Sequence, residues 1–558
     1  MIKVTRNQVR VDTRTLEAVF DNGGLVSLVR KSDGRKLIQG KASGQPAPLE
    51  LVFPGNELSG LAGSPGDRVN CRRLNDRRAE IRFESWNGDG ILDIREDAET
   101  GDVIVEPSGY SSRPGLVACR WNMPGIDQSL RLVAPFFQGV NLPLKDPLIR
   151  DTRWPWPHFW EAGLAILQGR KGGFWVHCRD DGYRYKALEV GAAEDPFSIG
   201  LDSEGYGPIE GNLGAGGIAW RVNVHQGDWR EPAGQYRDWL WSAWDLAEVE
   251  RAEWVQDLRF AVSWCPTDEN ILKALAKRID PSKVLLHIPH WRQDRYDENY
   301  PRYVASETGA AFVKKAQAMG FHAMPHFNSV DMDPSHPAYT SLRDFQYREL
   351  TSKRVQGWTW VDGKVRPVPE SNAARLRHRD KKTMVKIHPG LAMWRSILAE
   401  NVLRAVKALS LETVFLDVTL CTWNIHNCLV ENQTPSEGMH RLIEKVADLG
   451  KGLTVGGEGR NEVTFRAQSF GQVHLFKSWQ TSCEGLERTG GTPLAEFLFG
   501  RICRSFGYSS LGGRDRDQEM RMDAHVSLGA IPTVTVRSGA EIARPNKAVR
   551  EMLRLATE

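Results

Sequence analysis

From Ile2 to about Trp241, apolar and polar residues alternate in short runs cut by turn residues. Leu16–Phe20 is followed by Asp21-Asn22-Gly23-Gly24, then Leu25–Val29, then Ser32-Asp33-Gly34. Strands of about five residues joined at Asn-Gly and Asp-Gly turns are the signature of hairpins. Ala79–Phe83, Asp102–Glu106, Gly173–His177 and Ile218–Val224 repeat the pattern, with no long 3.6-residue periodicity between them. Residues 1–240 are therefore expected to form a large antiparallel β-sandwich. The stretch Trp154–Trp160 stands apart, because two prolines hold it extended while three Trp and a Phe need cover. A hydrophobic plug between domains is favoured over an aromatic loop at the rim of a site. Gln235 to about Glu253 reads as helix, and residues 241–257 as the connector into a second domain.

At Leu258 the pattern changes to alternating strand and helix. Leu258–Trp264, Lys283–His290, Phe321–Asn328, Thr413–Asp417, Gly452–Glu458, Gln472–Phe476 and Ile531–Val536 read as strands, with a weakly signalled one within Cys503–Leu511. Helices are predicted over Glu269–Ile279, Ser306–Met319, Leu391–Leu409 and Glu437–Leu449, two of them stopped by Gly320 and Gly450. About eight such units in roughly 290 residues fit a (β/α)8 TIM barrel over 258–558, with an insertion at 330–386. An open doubly wound sheet is the alternative, but no Gly-rich phosphate loop follows the first strand.

Composition narrows the function classes. The chain has 558 residues, 26% of them charged, and a formal net charge of +3, so no strong field recruits nucleic acid or an anionic membrane. No apolar run approaches the roughly 20 residues of a membrane span. The N-terminus alternates like a strand and has no apolar core, so it is not a signal peptide, and the chain as written is expected in the cytoplasm unless a leader has been removed. The eight cysteines form no CxxC or other metal spacing and read as reduced thiols. Nineteen Trp are more than ordinary usage, and a flat indole face suits the C–H face of a sugar ring.

In a barrel the chemistry sits at the C-terminal ends of the strands. There stand Ser263-Trp264-Cys265, His290–Asp297, His326 and Asn328, Asp417 with Trp423 beyond it, Glu458 with Arg460 and Glu462, and Lys477 with Trp479. Asp417 and Glu458 each end an apolar strand, on adjacent strands of one barrel. Such a pair suits glycoside cleavage, one carboxyl protonating the leaving oxygen and the other attacking the anomeric carbon or activating water. Adjacent strand ends bring carboxyl groups to roughly the 5–5.5 Å that retention of configuration requires. Gly456, Gly457 and Gly459 are expected to let a substrate or a neighbouring backbone come close.

Asp ending the fourth strand and Glu ending the fifth resembles the retaining α-glycosidases, and among them the endo-α-N-acetylgalactosaminidases and related bifidobacterial α-N-acetylgalactosaminidases. The matching stretches are His290–Asp297, Pro325–Asn328, Phe415–Thr419 and Gly456–Gly459. The resemblance implies a galactose-mutarotase-like supersandwich before the barrel, Asp417 as nucleophile and Glu458 as general acid/base. It places Asp294, His326 and Asn328 at the sugar, and Trp291, Asp297, Trp423, Arg460 and Trp479 complete the expected binding set. A carbohydrate substrate follows, with no cofactor; some relatives bind calcium, but no Asx-rich loop places it here. The insertion, with its hairpin-like Trp358-Thr359-Trp360, departs from the pattern, and so does the lack of a C-terminal β-domain.

Two other classes compete. His287, His290, His322 and His326 invite a metal-dependent hydrolase, although His287 and His290 fall on opposite faces of one strand. A non-catalytic carbohydrate-binding protein needs no carboxylate pair. Within the glycosidase reading, Asp294 or Asp297 could replace Asp417, and Glu462 could replace Glu458. Sugar, linkage and oligomeric state are not legible.

Overall fold

A computed structural model describes residues 1–40, 45–62, 64, 66–158, 160–191, 197–369, 382–474, 491–508 and 518–558. The chain divides into two compact units, Met1–Trp244 and Asp245–Glu558.

The first unit is an antiparallel β-sandwich, built from sheets of five, ten and six strands. Its opening hairpin follows the alternation: Leu16–Asp21 buries every second residue and pairs with Gly24–Arg30. The turn between them holds Asn22 and Gly23 at φ 47° and 85°, the left-handed pair that a tight hairpin needs. The three described tryptophans of Trp154–Trp160 are all buried, and partners within the unit cover them. Trp154 stacks on Phe136 at 4.1 Å, Lys186 sits over the Trp156 ring at 3.5 Å, and Trp160 Nε1 donates to the Leu164 carbonyl at 3.2 Å. The helix near the end of the unit runs Arg230–Ala243, earlier than its periodicity suggests, and the left-handed Asp245 at φ 46° follows its cap.

The second unit is a TIM barrel. Its strands are β1 (Phe260–Val262), β2 (Val284–Ile288), β3 (His322–Asn328), β4 (Thr413–Asp417), β5 (Thr454–Glu458), β6 (Phe470–Val473), β7 (Arg504–Gly507) and β8 (Thr533–Val534). They pair in parallel in the order β7-β6-β5-β4-β3-β2-β1-β8, and a parallel bridge from Phe506 to Ile531 closes the ring. The interior is filled by Ala261, Leu285, Met324, Phe415, Phe470, Phe506 and Ile531, so the barrel is a packed core and no pore. At its lower end Trp254 packs on this core and stacks on His322 at 3.8 Å.

The insertion after β3 forms a small antiparallel sheet of Asp331–Met332, Thr383–Lys386, Gly357–Val361 and Lys364–Arg366. A buried ion pair pins its root: Lys386 Nζ lies 2.9 Å from Asp331 Oδ1, and Asn328 Nδ2 donates to Asp331 Oδ2 at 2.8 Å.

The strand-end glycines serve packing of side chains. A Cβ on Gly456 would lie 2.8 Å from Met324 Sδ, and one on Gly457 1.7 Å from Gln468 Nε2. Gln468 is fixed by donating to Thr419 Oγ1 at 3.0 Å, so it yields only by breaking that bond. Gly457→Ala should destabilise the barrel by about 1–3 kcal/mol. Its unfolding midpoint in urea is expected to fall with unchanged slope, and an unaltered midpoint would show that Gln468 moves freely.

Candidate active site

Each strand delivers its functional group from a rigid position. Asp417 ends β4 and Glu458 ends β5, and both side chains are buried. Between them lies one backbone amide: Val418 N–H donates to Glu458 Oε2 at 3.2 Å. To aim that amide, Val418 takes φ 66°, a left-handed conformation that a β-branched residue adopts only under constraint. Thr419 Oγ1 donates to the Glu458 carbonyl at 2.7 Å and locks the β4 and β5 ends together. Glu458 Oε1 lies 3.2 Å from His474 Nε2, and the His474 ring stacks on Tyr508 at 4.7 Å.

Asp417 Oδ2 accepts the Tyr296 hydroxyl proton at 3.0 Å, and His326 Nε2 stands 3.5 Å from the same oxygen. Burial, and after it the charge of Glu458, push the Asp417 carboxyl well above the usual carboxylate range, against the Tyr296 hydrogen bond that lowers it. Asp297 and Asp331 add smaller upward pushes. The raised carboxyl is thus on the residue implied to be the nucleophile.

These groups open on a cavity of about 420 Å3 lined by Trp264, Tyr296, Asp297, Trp358, Trp360, Val365, Asp417, Val418, Glu458 and Tyr508. The loop after β2 is folded around Arg292, whose guanidinium donates to the carbonyls of Arg295, Glu298 and Arg302 and packs on Tyr300. This presents Tyr296 and Asp297 to the cavity. Asp297 Oδ2 accepts both indole N–H groups of the insertion hairpin, from Trp358 at 3.2 Å and from Trp360 at 2.7 Å. Asp297 Oδ1 is buried and has no hydrogen-bond partner among the described residues. Burial, then Asp331, raise its carboxyl to about 6.

Of the expected residues, the structure brings Asp417, Glu458, Asp297 and His326 together. Trp291 is buried and donates its indole N–H to the His326 carbonyl at 2.8 Å. Asp294 accepts from Asn299 at 2.7 Å and Arg302 at 3.1 Å, holding the β2 loop. Asn328 is engaged at the insertion root, where its Oδ1 accepts the Val330 and Asp331 amides. Arg460 is buried against Glu496 and the Cys503 carbonyl, each at 2.7 Å. Trp423 packs edge-on to Tyr347. None of these five lines the cavity, nor does Glu462. Trp479 lies outside the described residues, as does Lys477.

The four histidines do not converge. His322 is held by Glu412 and the Ser282 carbonyl at the opposite end of β3, His290 is exposed, and only His287 and His326 meet. Among the described residues no three His, Cys, Asp or Glu cluster as metal ligands, and no helix is long and apolar enough to cross a membrane.

Comparison with known proteins agrees with this architecture. A family model described as a domain of unknown function, DUF6259, matches residues 218–441. No curated protein matches the chain in sequence. Among solved structures, the α-N-acetylgalactosaminidase NagBb from Bifidobacterium bifidum, in complex with Gal-NHAc-DNJ, superposes with a TM-score of 0.68 over 98% of this chain and 92% of its own, at 13% identity. A GH31 family sulfoquinovosidase from E. rectale in complex with an aza-sugar inhibitor gives a TM-score of 0.55 at 12% identity, over 100% of this chain and 82% of its own. The likeness at such identities is one of fold, and it extends over both units. The expected resemblance to bifidobacterial α-N-acetylgalactosaminidases is present at that level.

Trp360→Phe removes the shorter of the two donors that hold Asp297 down. Its carboxyl should then titrate above about 6, as read from the 13C shift of labelled Asp side chains. An unchanged titration would mean that the hairpin does not control this charge.

Proposed function

We propose that the protein is a retaining α-glycoside hydrolase, with Asp417 as nucleophile and Glu458 as general acid/base. The observation that carries this reading is the buried pair itself: two carboxyls, one amide apart, both lining one indole-walled cavity. A site that only binds sugar has no use for such a pair. The α configuration is supported by the fold shared with the B. bifidum α-N-acetylgalactosaminidase.

In this mechanism Asp417 acts in its ionised form, which the Tyr296 hydroxyl favours by donating to Oδ2 but burial and Glu458 oppose, and Glu458 carries the proton it delivers. Asp417 attacks the anomeric carbon as Glu458 gives its proton to the leaving oxygen, and the glycosidic C–O bond breaks. The product is a glycosyl ester on Asp417. Glu458, now a carboxylate, takes a proton from water, whose oxygen displaces Asp417 and releases the sugar with its configuration retained. Trp264, Trp358 and Trp360 offer ring faces to the sugar, and Asp297 Oδ1 accepts one of its hydroxyls. Positive charge developing at the anomeric carbon draws the Asp417 carboxyl downward when it is most needed as an anion. Every step uses side chains of this chain and water.

A panel of aryl α- and β-glycosides tests the reading. An α-glycoside should be cleaved, and Asp417→Ala and Glu458→Ala should each lose several orders of magnitude. Azide assigns the roles: Asp417→Ala should yield the β-glycosyl azide by one displacement, and Glu458→Ala the α-glycosyl azide by two. Exchanged anomers would exchange the roles, and full activity in either variant would refute the pair.

Tyr296→Phe removes a hydrogen bond that lowers the Asp417 carboxyl. The loss raises its pKa, so the acidic limb of kcat/KM should move to higher pH. A limb that stays in place, or moves down, would detach Tyr296 from the nucleophile.

A further inference from the structure

Beneath the cavity lie two buried histidines that the steps above do not use, His287 of β2 and His326 of β3. His287 Nε2 is 3.1 Å from His326 Nδ1. The direction of that bond is fixed from the other end. A backbone amide can only donate, and the Trp264 amide points at His287 Nδ1 from 3.2 Å. Trp264 holds φ 54°, a conformation that a bulky residue takes only when its surroundings impose it. The Gln472 carboxamide nitrogen, 2.8 Å from Ser263 Oγ, is also 3.3 Å from His287 Nδ1. His287 Nδ1 is therefore a bare acceptor, and the one proton of the neutral ring sits on Nε2. That proton occupies His326 Nδ1, so the His326 proton sits on its own Nε2. There it makes no hydrogen bond among the described residues and stands 3.5 Å from Asp417 Oδ2.

Both rings remain neutral. Burial, then His290, bring His287 down to about 3, and burial, then His287, Arg292 and His290, hold His326 well below the usual imidazole range. Around Asp417 itself the ionisable neighbours are Tyr296, His326, Glu458, Asp297 and Asp331.

We infer that Trp264 N–H, His287 and His326 form a one-way donor chain whose last proton, on His326 Nε2, faces Asp417 Oδ2 and so disposes that oxygen away from the substrate, leaving Oδ1 to attack. The inference rests on the reading of Asp417 as nucleophile. Oδ2 thus accepts the Tyr296 hydroxyl at 3.0 Å and faces the His326 Nε2–H from 3.5 Å, a longer electrostatic contact on its other side that biases the rotation of the carboxylate about its last bond. His287 does not line the cavity and reaches Asp417 through His326, as a positioning residue.

His287→Gln and His287→Leu separate this role from packing. A Gln carboxamide nitrogen reaches the place of Nε2 and still donates to His326, whereas Leu cannot. Without its donor, His326 is free to carry its proton on Nδ1 and turn a lone pair towards Asp417. His287→Leu should lose about 10- to 100-fold in kcat/KM with KM little changed, and its acidic limb should move to higher pH. His287→Gln should recover most of both. In wild type, 15N NMR of labelled histidines should show both rings neutral with the proton on Nε2 across the working pH range, a result that stands even if the Leu variant does not fold. The inference is overturned if a folded His287→Leu keeps the wild-type rate and limb while Asp417→Ala is inactive, or if either ring carries its proton on Nδ1. A wild type that cleaves no glycoside would instead remove the reading on which the chain depends.

Discussion

Two carboxyl groups held out of water at neighbouring strand ends make each other costly to charge, and much of the barrel's upper end is arranged around that constraint. Burying one ionised carboxylate is costly unless donors surround it, and burying a second beside it is costlier still. Asp417 and Glu458 meet this cost by taking hydrogen bonds from fixed groups, the Tyr296 hydroxyl and the Val418 amide. The left-handed Val418 aims its amide at Glu458, and Thr419 ties the Glu458 carbonyl to the end of β4. Gln468 in turn holds Thr419, and Gly457 leaves it the room to do so. Backbone strain is thus concentrated at the residue between the two groups, where it sets their relation.

Around this rigid pair the cavity is assembled from less regular parts, and Asp297 joins them. Its one carboxylate oxygen binds two indoles of the insertion hairpin, while its backbone belongs to the loop after β2. The aromatic wall therefore depends on a carboxyl that burial, then Asp331, push up to about 6. The Lys386–Asp331 ion pair at the hairpin's root serves the same end from the other side. Pocket shape and pocket charge are in this way one property.

The barrel and the sandwich were legible because their signals are periodic. Asn22-Gly23 between alternating runs specifies a tight hairpin, and an apolar run such as Thr413–Asp417 specifies a buried parallel strand with its carboxylate at the end. The edges were less exact: β6 is Phe470–Val473 rather than Gln472–Phe476, since inward-facing Phe470 is what fills the barrel. Within the site, Asp417 and Glu458 could be found because a strand fixes where its last residue points. Asp294, Asn328 and Arg460 stand at equally suggestive positions, but their partners come from distant parts of the chain, and nothing local reveals that those bonds are already made. Tyr296 lay inside a matched stretch without being singled out, and Trp358 and Trp360 share one strand face, a signal that marks a hairpin but not what it covers. Tyr508 follows a weakly signalled strand. His287 carried only the suggestion of a metal, because the amide that fixes its tautomer belongs to another strand.

The central claim is a covalent one, that a sugar passes through an ester with Asp417. The most direct measurement is to incubate the protein with 5-fluoro-α-glycosyl fluorides of the sugars it cleaves, which form the ester quickly and release it slowly, and to locate the label by peptide mass spectrometry. The account predicts a single added glycosyl mass on the peptide carrying Asp417, absent from Asp417→Ala. A label on the peptide of Glu458 or Asp297, or turnover of the natural glycoside with no label on any carboxylate, would contradict it.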